Sequence, residues 1–153
     1  PAAASPAEGR DDSSAWEGVR WLDLESGHPL EPGAGAGRSG TELLPAMPRP
    51  AVHLPSVSQQ LVIAEERYRR LYDDLLASGG RRFVVACERR GRLAEVGVVF
   101  RLDDVREISE PSHGHMKYVG EHSVCERARI LRIENPEAWR DESTYLRAEV
   151  EVL

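Results

Sequence analysis

The sequence predicts a mainly β (α+β) domain with one amphipathic helix and an extended N-terminal arm. Three observations lead to this fold class. Between residues 60 and 76 the apolar pattern changes from a short β-branched run to a stripe with helical spacing. Several later segments carry strand patterns. The first fifty residues, by contrast, are rich in proline, glycine, alanine and serine.

The helix is predicted to begin near Glu65 and to cover about three turns. Apolar side chains recur at i, i+3, i+4, i+7 and i+8, the spacing of one buried helix face; they are Tyr68, Leu71, Tyr72, Leu75 and Leu76. Glu65 and Glu66 place negative charge at the positive end of the helix dipole. Ser78-Gly79-Gly80 supplies a C-terminal stop. The preceding run, residues 61–64, favours a buried strand.

The strand predictions come from two kinds of pattern. Residues 83–87 form the continuous apolar run of a buried strand. Residues 93–105 and 124–133 predict longer strands, and Gly97 marks a bulge or a barrel corner in the first of them. Residues 146–152 alternate between apolar and charged side chains, as a half-buried strand does. These strands with a single early helix predict a small closed or partly closed barrel.

Four segments carry a family resemblance. Residues 61–69 read LVIAEERYR and are similar to the signature LPLHIFEPRYR of the Lon protease N-terminal (substrate-binding) domain. Three later segments follow in the family's order: GRLAEVGVV at 91–99, RARILRI at 127–133 and YLRAEV at 145–150. They are similar to the family's GxLAEVGxxxxI, RFRIL and YLxAEVE. Over residues 51–153 the chain therefore resembles this family, which implies a PUA-like β-barrel that binds polypeptides.

The sequence departs from the family pattern at Ala64, Glu66 and Ala128, where the family has an aromatic residue, a proline and a phenylalanine. We divide the chain into a low-complexity N-terminal arm, residues 1–50, and a Lon-N-like domain, residues 51–153. The composition of the arm cannot bury enough apolar surface to offset chain entropy, so the arm alone is predicted to be disordered.

An apolar island in the arm is the first candidate partner-binding site; it comprises Trp16, Val19, Trp21, Leu22 and Leu24. Aromatic anchors in a polar arm are typical of extended segments that attach to a surface. That surface is either the chain's own barrel or another protein, and the sequence leaves both open.

A cluster of arginines around the helix is the second candidate, and Arg67 and Arg70 are its predicted contact residues. Such a cluster could bind an acidic protein partner. RNA is the less favoured reading, because carboxylates are interspersed among the arginines and the chain carries a net charge of −6. The predicted partners are therefore proteins rather than nucleic acids, and no cofactor is expected.

A metal site is an alternative for a group of histidines late in the chain. His113, His115, His122 and Cys125 are all residue types that zinc accepts. Their spacing matches no known site, and a polar hairpin with solvated histidines is the favoured interpretation. Cys87 and Cys125 lie in no CxxC pair, so buried reduced thiols are favoured while a disulfide stays open.

The sequence predicts no catalysis. It contains no GxxxxGK[ST] loop for nucleotide phosphates, and Lys117 is its only lysine. A Ser–Lys peptidase dyad of the Lon type has no other lysine to use, and Lys117 lies between Met116 and Tyr118 in a strand-like segment. We therefore expect neither an ATPase nor a peptidase.

Two functions remain for such a module. The favoured one is a scaffold, an accessory subunit that the arm anchors in a larger assembly; an organellar and a photosynthetic assembly are both left open. The alternative is a stand-alone domain that recognises polypeptide substrates for a protease or a quality-control system. No apolar run approaches the ~20 residues of a membrane span, so we expect only peripheral membrane association through a partner.

The compartment is left open, with an organelle interior, the chloroplast in particular, favoured over the cytoplasm. This preference rests on the Ala/Ser-rich start at Pro1, which is typical of a protein whose targeting peptide has been removed.

Overall fold

A closed barrel of five strands lies at the centre of the computed structural model, which describes residues 16–31, 40–109 and 116–153. The elements in chain order are β1 (Trp21–Asp23), β2 (His28–Pro29), β3 (Thr41–Arg49), β4 (Ser58–Ile63), α1 (Glu66–Ser78), β5 (Arg82–Arg89), β6 (Arg92–Ala94), β7 (Val96–Ser109), β8 (Met116–Ile133), α2 (Glu137–Asp141) and β9 (Leu146–Val152).

The barrel closes through five strand pairs. β3 pairs in parallel with β5, and the other four pairs, β3 with β9, β9 with β8, β8 with β7 and β7 with β5, are antiparallel. Parallel neighbours need a crossover connection, and here β4 and α1 provide it between β3 and β5. The predicted mainly β fold with a small barrel and one amphipathic helix is confirmed.

Two smaller groups of strands extend the barrel. β6, β1 and β2 continue the sheet outward from β5, each antiparallel to its neighbour. β4 pairs with the first half of β8, which continues beyond the barrel as a long hairpin with β7.

Alternation along the strands produces two hydrophobic layers. In β5, Val84 and Ala86 belong to the cluster inside the barrel, whereas Phe83 and Val85 belong to the cluster between the barrel wall and α1. A strand buried on both faces has a continuous apolar sequence, which is why residues 83–87 predicted a buried strand correctly. The outer cluster takes in the helix through Leu71, Tyr72 and Leu75.

Helix α1 follows its sequence signals closely. It begins one residue after Glu65 and ends at Ser78, where Gly79 adopts a left-handed conformation with φ of 74°. The Gly79 N–H donates a hydrogen bond to the Leu75 carbonyl, which satisfies one of the carbonyls that a helix end leaves without a partner.

The predicted strand over residues 93–105 is interrupted. β6 ends at Ala94, Glu95 stands between the strands, and β7 begins at Val96. The bulge predicted near Gly97 lies slightly later, since the β7–β8 register shifts between Val98 and Phe100. The extra residue of this bulge lies on β8, and β7 keeps its alternation, with Val99 in the cluster inside the barrel and Phe100 in the outer cluster.

The predicted division of the chain at residue 51 is wrong for the strand just before it. Residues 41–49, assigned to the arm, form β3, and this strand pairs with both β5 and β9. Leu22 and Leu24 are fully buried in the cluster inside the barrel, and β1 pairs with β6. The described part of the arm is therefore built into the domain, and burying each leucine contributes about 1.5–3 kcal/mol.

Candidate functional site

An apolar groove of about 540 Å³ lies on the outer face of the barrel. Its floor consists of buried residues from the strands β5 and β7, with Val85, Cys87 and Val98 among them. One wall is the segment of residues 16–20, and the other is the segment of residues 52–55 that precedes β4. The interruption between β6 and β7 lies in this floor, because residues 94–98 all line the groove.

The rim of the groove exposes apolar side chains. Val52 and Leu54 are 68% and 67% exposed, and Val96 is also exposed. Single exposed apolar side chains are ordinary, but a group of them at the edge of a groove marks a surface for binding.

Arginines surround the groove. Arg20 contacts Glu95 at 3.0 Å and Glu31 at 3.2 Å, and the side chain of Glu95 is almost fully buried. The Arg89 guanidinium stacks 4.9 Å from the centre of the Trp16 ring, which fixes one end of the wall. Arg127 and Arg129 of β8 complete the lining.

The candidate partner-binding residues of the arm separate into two groups. Trp16 and Val19 line the groove, and Trp21 packs against Trp16 with 5.6 Å between ring centres. Leu22 and Leu24 are core residues and cannot contact a partner, so their assignment as partner-binding residues is wrong, and for them the surface is the chain's own barrel. The reason is the β1–β6 pairing, which turns both leucines toward the barrel interior.

Arg67 and Arg70 lie on α1, outside the groove. The Arg67 guanidinium stacks on Tyr68 at 4.8 Å and on Trp139 at 5.7 Å, and its Nε contacts Glu65 at 3.1 Å. Its side chain is mostly buried and lines a second pocket of about 350 Å³. Arg70 is exposed on the helix. The structure does not bring these arginines together with Trp16 and Val19.

The structure describes two of the four candidate metal ligands. His113 and His115 lie outside the described residues. His122 is 1% exposed, so its interpretation as a solvated histidine is wrong, and Cys125 is half-buried on β8. In the part of the chain that the structure describes, no group of three or more His, Cys, Asp and Glu residues could hold a metal ion. Cys87 and Cys125 are not bonded to each other.

His122 is surrounded by aromatic rings and holds three elements together. Its Nδ1 lies 2.8 Å from the Gln59 carbonyl of β4, and its Nε2 lies 2.6 Å from the Tyr72 hydroxyl of α1. A carbonyl only accepts hydrogen bonds, so Nδ1 carries the proton and Nε2 accepts from the hydroxyl. Burial is the main cause that lowers the pKa of His122 below its ordinary value of 6.5.

This burial predicts how stability depends on pH. As the pH falls past about 6.5, the unfolded chain binds a proton at His122 while the folded chain still keeps the imidazole neutral. The free energy of unfolding should therefore fall as the pH is lowered from about 7.5 to about 5. Urea unfolding across this range, on the original chain and on His122→Asn, measures the effect.

The His122→Asn variant should show a shallower dependence on pH. Burial also lowers the pKa of His53, so some dependence should remain in the variant. Identical slopes for the two proteins would contradict the assignment to His122. The variant should also lose about 1–3 kcal/mol at pH 7.5, since Gln59 and Tyr72 lose a buried partner.

Two neighbouring carboxylates on α1 also hold the helix in place. The Tyr118 and Tyr145 hydroxyls donate hydrogen bonds of 2.6 Å to Asp73 and Asp74. The hydrogen bond to Asp73 is the main cause that raises the pKa of Tyr118 to about 12, and burial is the main cause that raises the pKa of Tyr145 to about 12. Together with Tyr72 and His122, these contacts fix α1 on the barrel wall.

Solved structures with a similar fold identify the fold of this chain. The chain is similar to the structure of a Lon N-terminal domain protein from Xanthomonas campestris, with a TM-score of 0.55 and 24% identity. It is also similar to the N-terminal domain of Mycobacterium avium complex Lon protease, with a TM-score of 0.55 and 18% identity. The chain has the fold of a Lon N-terminal domain. The resemblance predicted from the sequence is thereby confirmed at the level of the fold.

The Lon N-terminal fold accounts for most of the chain but not for all of either relative. The similarity covers 72% and 73% of this chain, and 59% and 55% of the two solved structures. No family model matches the sequence, and no curated protein matches it. Neither helix in the described ranges is long and apolar enough to cross a membrane.

Sequence reasoning missed most residues of the groove. Val52, His53 and Leu54 stand in a proline-punctuated segment that carries neither strand nor helix pattern. Their signal was the density of apolar side chains in a segment too short and irregular to bury them. Arg127 is exposed and Arg129 is half-buried on β8. Nothing in the sequence indicated that they lie beside Val96 and Val98.

Proposed function

We propose that this domain is a noncatalytic protein-interaction module that binds extended polypeptide segments in the groove. The observation that carries the proposal is the groove itself, with a buried apolar floor and the exposed rim residues Val52 and Leu54. A polypeptide segment would bury this rim, which otherwise leaves apolar surface in water. The Lon N-terminal fold supports the proposal, since one similar structure is the N-terminal domain of a Lon protease.

The chemistry of the groove supports a noncatalytic role. Cys87 lies in the floor, and burial raises the pKa of its thiol, which keeps the sulfur in its poorly nucleophilic form. The carboxylate of Glu95 is held by Arg20 and is almost inaccessible. Neither group is prepared to attack a substrate or to move a proton.

The groove should lose affinity when a charge is placed on its rim. Leu54→Asp is expected to weaken binding to an unfolded reporter, reduced and carboxymethylated lactalbumin, about tenfold. Binding of the reporter would bury the unpaired carboxylate of the new aspartate, which costs free energy, and the apolar surface of Leu54 is no longer there to be buried. Fluorescence anisotropy of the labelled reporter measures the dissociation constant.

Val62→Asp is the matched control. Val62 is 63% exposed, close to Leu54 in this respect, but it lies on β4 outside the groove. It should leave reporter binding unchanged. If Val62→Asp weakens binding as much as Leu54→Asp does, or if neither variant changes it, the groove is not the binding site and the proposal fails.

A subunit of a larger assembly is the second candidate, and Trp16 and Val19 favour it because both remain available in the groove wall. Leu22 and Leu24 no longer support it. The two functions differ in the number of partners. A substrate-recognition domain should bind several unrelated apolar peptides with similar affinity, and each should compete with the reporter. A scaffold subunit in an organellar assembly should bind one partner stoichiometrically and leave most such peptides unbound.

A further inference from the structure

We infer that the groove selects polypeptide segments in which an acidic side chain lies close to an apolar one. This inference rests on the proposed function and assigns it a class of ligand. The apolar side chain would contact the floor at Val98, and the carboxylate would pair with Arg127 and Arg129. The inference depends on the positive charge beside the apolar floor, and not on the shape of the groove.

The two arginines point to the same side of the barrel wall. Ala128, between them in β8, is fully buried inside the barrel, so its neighbours project from the outer face. In the antiparallel register Arg127 lies opposite Val98 and Arg129 lies opposite Val96. Directly opposed residues project on the same face, which places both guanidinium groups beside the apolar floor.

Among the residues that the structure describes, neither Arg127 nor Arg129 has an ion-pair partner within 4.0 Å. The third arginine of the groove lining, Arg20, is engaged with Glu95 and Glu31.

Carboxylates near the two arginines are few. Glu95 is the only acidic residue in the groove lining within the described ranges, and Arg20 already holds it. Glu151 of β9 lies opposite Arg129 in the β8–β9 register, whereas Arg127 has Leu153 beside it.

An acidic segment is the partner that this arrangement favours. A guanidinium donates two parallel hydrogen bonds to a carboxylate, so Arg127 and Arg129 can bind it more specifically than two point charges would. A basic segment would meet like charges at the rim. The selection is local, because the chain as a whole carries a net charge of −6 and would repel acidic partners at long range.

Two fluorescein-labelled peptides test the inference. Both carry the same apolar residues, and they differ only in having glutamate or lysine at the intervening positions. At an ionic strength of about 0.15 M, which screens the long-range repulsion, the glutamate peptide should bind the original chain about tenfold more tightly than the lysine peptide does. The double variant Arg127→Gln/Arg129→Gln should abolish this preference, so that it binds the glutamate peptide, the lysine peptide and an uncharged serine peptide with similar affinity.

Arg106→Gln is the control for charge, since Arg106 is exposed on β7 and lies in the hairpin away from the groove. It should preserve the preference. Equal binding of the glutamate and lysine peptides, or a preference that survives the double variant, would overturn the inference. In either case a loss of serine-peptide binding in Leu54→Asp would still uphold the proposed function. If Leu54→Asp also has no effect, both fail.

The chain itself contains another possible acidic occupant, residues 1–15 with Glu8, Asp11 and Asp12. A version that begins at Trp16 should bind the glutamate peptide as tightly as the full chain does. A marked gain in affinity on their removal would overturn the inference of an external partner and would make residues 1–15 the occupant of the groove.

Discussion

A chain that begins at Ala51 is expected not to fold. This deletion removes β3, which is one of the five strands of the barrel and pairs with β5 on one side and β9 on the other. It also removes the buried side chains of Leu22, Leu24, Leu44 and Met47. The loss of these contacts exceeds the roughly 5–15 kcal/mol by which domains are stable.

The measurement is urea unfolding followed by tryptophan fluorescence and circular dichroism. The truncated chain should give no cooperative transition, and a version beginning at Trp16 should unfold cooperatively because it keeps every described strand. Leu22→Ala in the full chain provides a milder form of the same test, with an expected loss of about 2–5 kcal/mol. A cooperative transition in the chain beginning at Ala51 would show that β3 is dispensable.

Two prolines explain why β3 was not predicted from the sequence. Pro45 and Pro48 lie in a strand with partners on both sides, where a missing N–H normally removes a ladder hydrogen bond. The register explains why they are tolerated. Residues 41–46 pair with β9 and residues 46–49 pair with β5, so only Ala46 pairs with both strands. Each proline therefore has one open side, as in an edge strand.

Local patterns predicted the elements that bury one face and expose the other. The helix α1 and the strand β9 show this, because each has one buried face that its own spacing reveals. His122 was misjudged because the residues beside it, Glu121 and Ser123, are polar. Its strand alternates, however, and His122 shares its buried face with Tyr118 and Val124.

The groove could not be predicted in this way. Its walls and floor come from segments around residues 18, 53, 86, 96 and 128, which only the closed barrel brings together. Apolar residues in any one of these segments indicate burial or exposure, but not proximity to another segment. The resemblance to Lon N-terminal domains predicted the fold and a polypeptide-binding role, without indicating which surface would carry it.

Gly97→Ala is expected to destabilise the domain by about 3 kcal/mol. A Cβ atom at this position would clash with the Val85 carbonyl oxygen and would lie 2.9 Å from the Ala86 Cβ. The oxygen belongs to the backbone of β5, which pairs with three other strands and cannot move without disturbing the barrel. Thermal unfolding should show a melting temperature about 6–12 °C lower.

Gly80→Ala is the matched control, because a Cβ atom there would meet only the Ser78 Oγ at 3.4 Å. The change in its free energy of unfolding should stay within about 0.5 kcal/mol. An equal melting temperature for Gly97→Ala and the original chain would show that β5 and β7 can separate at this point. Gly97 also lines the groove, so such tolerance would mean that its floor is adaptable rather than fixed by the barrel.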